Sequence, residues 1–149
     1  MGKSIQHFSD LEVYRDSFRL GLRVFDDSRG FPIEERYALT DQLRRAVRSI
    51  GANISEAWGK RRYEAAFIAK LSDADTELHE TEHWLGYAFK HGYITRATFD
   101  GCRREIASIG RRLGAMMANP KPFLLRPHSV AVVAERPPTS DRRPPVAGR

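Results

Sequence analysis

With 149 residues, 41% of them hydrophobic and 30% charged, the chain is long enough for one domain with a real core and too short for two comfortable ones. The formal charge of +6 is no strong pointer to nucleic acid: from Lys121 onward Lys121, Arg126, Arg136, Arg142, Arg143 and Arg149 face only Glu135 and Asp141, so the tail supplies most of the excess. No apolar run nears the ~20 residues that span a bilayer, no signal segment opens the chain, and a single cysteine, Cys102, excludes a disulfide framework; the expected location is the cytoplasm.

The first helix is announced by Ser9-Asp10-Leu11-Glu12, a capping-box pattern in which Ser9 bonds an orphan amide and Glu12 reaches back, with Phe8 and Val13 at hydrophobic-staple spacing. Leu11, Tyr14, Phe18, Leu22 and Phe25 recur at steps of three and four and predict its buried face, and Gly30 and Pro32 stop it. After the connector GFPIEERYAL, Thr40 is the expected N-cap of a second helix carrying Leu43, Val47, Ile50, Ile54 and Trp58. A third helix is predicted from about Tyr63 to His91 on the stripe Phe67, Leu71, Ala74, Leu78, Leu85 and Ala88, with a left-handed cap at Gly92. A fourth starts near Thr95, carries Phe99, Cys102, Ile106, Ile109, Leu113 and Met116, and ends at Asn119-Pro120. Seven of eight prolines fall at or after position 120. The pattern therefore predicts an all-α, up-down-up-down antiparallel four-helix bundle over 1–119 and a Pro/Arg-rich disordered tail over 120–149.

An ordered set of short matches runs along this framework: Phe8-x-x-Leu11-x-Val13-Tyr14, Phe31-Pro32, Glu35-x-Tyr37-x-Leu39-Thr40, Gln42-x-Arg44-Arg45-Ala46 and Ser49-Ile50-x-x-Asn53-Ile54-x-Glu56. Over residues 8–118 the chain resembles the 23S rRNA-intervening sequence protein family, with Ala57 where much of that family has glycine. The resemblance implies a homopentameric ring of bundles without catalytic activity. It also implies kinship in fold with the accessory variability determinant protein of diversity-generating retroelements, which works with a reverse transcriptase and nucleic acid.

Three groups of residues are candidates for function. Asn53 sits beside the apolar seam of the second helix, where an isolated polar side chain needs a partner and can fix register or oligomeric state; Gln42 and Glu56 are the candidates. A satisfied structural polar residue is the plainer role. Arg44, Arg45 and Arg48 form a basic face that continues into Trp58, Lys60, Arg61, Arg62 and Tyr63 at the helix end, a combination of cations and aromatics that suits RNA. A solvated corner with intersubunit ion pairs to the acidic third helix explains the same residues more simply. Finally, His79-Glu80-Thr81-Glu82-His83 is a literal H-E-x-x-H, the zinc-peptidase motif, in which histidines four apart face one way and the glutamate activates water. Catalytic zinc needs a third protein ligand; Phe89 stands where an extended motif has histidine, and His91 and Glu105 are wrongly spaced. No catalytic residue, cofactor or metal is expected. The expected protein is a non-enzymatic homopentameric scaffold or adaptor for a macromolecule, RNA or a nucleic-acid-processing protein; a zinc hydrolase on His79 and His83 and a purely structural ring are the alternatives.

Overall fold

His7 and Asp10, not Ser9 and Glu12, close the N-terminal cap. Asp10 Oδ2 accepts the backbone N–H groups of Gln6 and His7, both at 3.1 Å, and His7 Nδ1 accepts the Ser9 N–H at 3.2 Å with Ser9 Oγ 2.7 Å away. With these amides taken by Asp10 and His7, the capped element is a single 3-10 turn, Phe8–Asp10. The helix proper follows from an extended Leu11 that offers no side-chain cap.

The computed structural model describes residues 4–127. It holds four α-helices, α1 Glu12–Ser28, α2 Asp41–Gly59, α3 Glu64–Lys90 and α4 Arg96–Ala118, and no strand among the described residues. Each helix packs on the next in the chain and α4 closes on α1. Cross-helix contacts run in opposite order: Arg112 reaches Asp16 while Arg23 reaches Glu105, and Arg48 lies over Phe25 while Gly51 faces Tyr14 and Ser17. α1 therefore runs antiparallel to both α2 and α4.

The buried face of α1 is not the expected one. Val13, Ser17, Leu20, Val24 and Ser28 point inward, whereas Phe18 and Leu22 are each 56% exposed and Phe25 36%. Two serines are admitted to the core because each hydroxyl donates to a carbonyl three residues back, Ser17 to Tyr14 at 2.7 Å and Ser28 to Phe25 at 3.0 Å, leaving no hydroxyl unpaired. The small Ser17 also lets α2 approach: a Cβ on Gly51 would lie 3.2 Å from Ser17 Oγ.

Thr40 likewise departs from expectation. The connector coils into a 3-10 turn, Ile33–Glu35, and a π-helical turn, Arg36–Thr40, that runs straight into α2, so Thr40 is already helical, buried, and makes no cap bond. The remaining elements follow the sequence. Gly92 takes φ 78° and Tyr93 N–H returns to Ala88 O at 2.8 Å, ending α3. Thr95 Oγ1 accepts the Thr98 N–H at 3.1 Å and starts α4. The core stripes of α3 and α4 are buried as predicted, except that Phe99 is half-buried and Thr81 joins them, its hydroxyl bonded to Glu77 O.

The ordered chain does not stop at Asn119. Pro120 is buried, Lys121–Phe123 forms a 3-10 turn, Phe123 stacks on Phe67 at 6.2 Å, and Leu125 N–H donates to Arg61 O at 3.1 Å. Of the disordered tail expected over 120–149, residues 128–149 lie outside the described residues.

Candidate functional site

The basic residues singled out in the sequence fall into two patches along α2, about 20 Å apart at the rise of a helix. In the first, Arg44 Nε donates to Ser28 Oγ at 2.8 Å and its guanidinium lies 4.5 Å from the Phe25 ring centroid; Arg48 lies over the same ring at 5.7 Å. Arg45 points to solvent. In the second, at the α2–α3 corner, Arg61 caps the Trp58 ring at 3.4 Å and donates from Nε to Trp58 O at 2.8 Å, and burial lowers its pKa. Lys60, Arg62 and Tyr63 stay exposed. Arg44, Arg48 and Arg61 thus hold the fold together as well as carrying charge; Arg45, Lys60 and Arg62 are exposed to solvent, as is Arg48.

Asn53 is satisfied within its own helix, its amide donating to Ser49 O at 2.9 Å. Glu56 turns instead to Lys70, 2.8 Å away, and that bond raises the Lys70 pKa. Gln42 sits half-buried in the first turn of α2, about three turns from Asn53. The polar trio is not a cluster.

The histidines of the H-E-x-x-H stretch have separate partners. His79 Nδ1 donates to Asp75 O at 2.8 Å, while His83 packs edge-on against Trp84 at 4.7 Å and Tyr87 at 5.3 Å. Glu80 accepts the Trp84 indole N–H at 3.2 Å, and Glu82 pairs with Arg103 at 2.8 Å. Among the described residues no three metal-capable side chains gather.

Two surface features are not evident from the sequence. The first is an apolar groove of about 610 Å³ between α1 and α2, with Phe8, Phe18, Leu22 and Phe25 on one side and Gly51, Ala52 and Ser55 on the other. Its signal is the aromatic stripe of α1, which spacing alone assigns to the core. The second is a cleft of about 490 Å³ at the far end of α3, against the start of α4. Its signal is His83, Tyr87 and His91 at steps of four, obscured because His83 belongs to the zinc-like motif. Among the described residues no helix is long and apolar enough to cross a membrane.

Comparison with solved structures finds a crystal structure of a protein with unknown function from the S23 ribosomal protein family of Bacteroides thetaiotaomicron VPI-5482, 29% identical, with a TM-score of 0.62, covering 70% of this chain and 97% of that one. No curated protein matches. The family model described as 23S rRNA-intervening sequence protein matches residues 9–115, from the capped N-terminus to the last turns of α4, and the chain belongs to that family.

Proposed function

We propose that the protein is a non-enzymatic scaffold that assembles with copies of itself through the α1–α2 groove, a homopentameric ring being the assembly the family resemblance implies. It would offer its exposed basic residues to a macromolecular partner, RNA or a nucleic-acid-processing protein. The observation that carries this is the unpartnered apolar face of α1. Phe18 and Leu22 are large, apolar and 56% exposed, and they stand beside a patch of α2 built from Gly51, Ala52 and Ser55. Projecting side chains next to small ones give one surface that inserts and one that receives. Such a heterologous contact, repeated around an axis, closes into a ring when the rotation fits. Arg44 and Arg48, held over Phe25, would rim the contact, where cations are tolerated better than in its centre.

Native mass spectrometry of the full chain should give close to five times the 17.0 kDa chain mass. Replacing both Phe18 and Leu22 by Glu should release a monomer with unchanged helical circular dichroism. A wild-type monomer at micromolar concentration, or an oligomer indifferent to the double replacement, would reject this interface. Changing Arg45, Lys60 and Arg62 to Ala tests the partner surface. Loss of RNA binding with the oligomer intact supports it; loss of the oligomer makes these residues intersubunit ion-pair partners instead.

A further inference from the structure

The cleft at the end of α3 has a lining chemistry of its own. Its walls are His83, Gly86, Tyr87, Phe89, Lys90, His91, Arg96 and Phe99: aromatic rings, imidazoles and two cations, with no carboxylate. His83, Tyr87 and His91 follow one another at steps of four along the end of α3, His83 edge-on to Tyr87 at 5.3 Å and His91 stacked on Tyr87 at 6.1 Å, and Tyr87 is half exposed. Across the cleft Phe89 and Phe99 stack face to face at 4.8 Å, with the Arg96 guanidinium 4.9 Å and Lys90 Nζ 5.7 Å from the Phe89 ring. Gly86 forms the floor, and a side chain built there would meet nothing within 4 Å.

We infer that this cleft binds nucleotides of a single-stranded nucleic acid, bases stacking on the exposed ring of Tyr87 and its histidine neighbours and the phosphates pairing with Lys90 and Arg96. The inference goes beyond the proposed scaffold role and uses a different face. A duplex keeps its base faces covered by their stacked neighbours, so an unpaired strand suits exposed aromatic rings and a duplex does not. Stacking on aromatic rings beside cations is how sequence-tolerant strand binding is achieved. Acidic groups bound the site at both ends. Glu80 holds the Trp84 indole, and the charges of Glu35 and Glu34 add to burial in raising the Tyr93 phenol. Glu82, on the same helix, is neutralised by Arg103.

The test is fluorescence anisotropy of a short labelled oligouridylate with the full chain, with the matching duplex and free uridine monophosphate as competitors. The single strand should bind and the duplex compete poorly. Tyr87→Leu keeps bulk but removes the π face, and should weaken binding about 5- to 150-fold, the range of one base–aromatic stack. Gly86→Gln should fill the cleft and weaken binding comparably. Lys90→Gln with Arg96→Gln should flatten the log–log salt dependence by about 1.4, two phosphates at ~0.7 each. The basic tail is identical in all variants, so it cannot produce these differences. Competition by the monophosphate as strong as by the unlabelled strand would make the site a free-nucleotide pocket and overturn the strand assignment. Strand binding unaffected by Tyr87→Leu and Gly86→Gln, or absent from the wild type, would overturn it too. Capture of an acidic, aromatic-rich peptide without strand binding would give the cleft to a protein and have the same effect.

Discussion

Cys102 shows how much a single buried side chain can couple to solution conditions. It is fully buried among α4 and its neighbours, and burial pushes its thiol from the ordinary 9.0 up to about 11, with Arg23 opposing and Asp27 and Glu105 reinforcing. The folded protein then keeps the thiol proton where the unfolded chain loses it. Stability from this group is complete below pH 9 and is lost as pH rises from 9 through 11, by roughly 1.4 kcal/mol for each pH unit crossed. Urea unfolding across that window should fall more steeply for the wild type than for Cys102→Ala; equal slopes would mean the thiol titrates freely in the fold. Other single residues were harder to read in advance. Ser17 and Ser28 look like surface positions in the sequence, and only their bonds to Tyr14 and Phe25 carbonyls explain their burial. The Ser9 amide that a capping box would assign to Glu12 goes to His7 Nδ1, and Glu12 lies 3.3 Å from Arg112 instead, a pairing that the four-residue pattern alone does not encode.

Whole helices were more legible than their orientation. The predicted apolar stripes of α3 and α4 sink into the core almost residue for residue, although α3 also carries Trp84, Tyr87 and Phe89 outside its stripe. On α1 there are two apolar faces, and the one with the larger rings lies outside. Side-chain size alone does not tell which of two apolar faces of a helix turns inward. The C-terminal segment shows the converse: the domain edge expected at Asn119 is too early, since Phe123 and Leu124 pack on the core and Leu125 is tied to Arg61. Truncation after Asn119 should therefore cost on the order of 2 kcal/mol, about one partly buried aromatic with its neighbour. Truncation after Pro127 should leave the melting temperature unchanged. Equal melting temperatures for the two cuts would mean the Phe123–Phe67 contact contributes nothing.

At the level of the molecule, the sequence made the bundle and its antiparallel order readable, because short connections leave few ways to pair four amphipathic helices. Where the bundle meets other molecules was less readable: α2 cations that look free in the sequence are partly spent on Ser28, Phe25 and Trp58, while the α3 aromatics are left in solvent. If copies associate through α1 and α2, association and folding are linked, and the melting temperature should rise with protein concentration. The Phe18→Glu, Leu22→Glu variant should melt at a temperature independent of concentration, and a concentration-independent wild type would count against linked assembly. The placement of the two tryptophans offers a way to watch these surfaces separately. Trp58 stands under Arg61 at the α2–α3 corner, and Trp84 stands beside His83 and Tyr87 at the remote end of α3, about 30 Å along the helix. The molecule carries a native optical probe at each end: emission from a Trp58→Phe protein reports only on the aromatic cleft, and emission from a Trp84→Phe protein only on the basic corner.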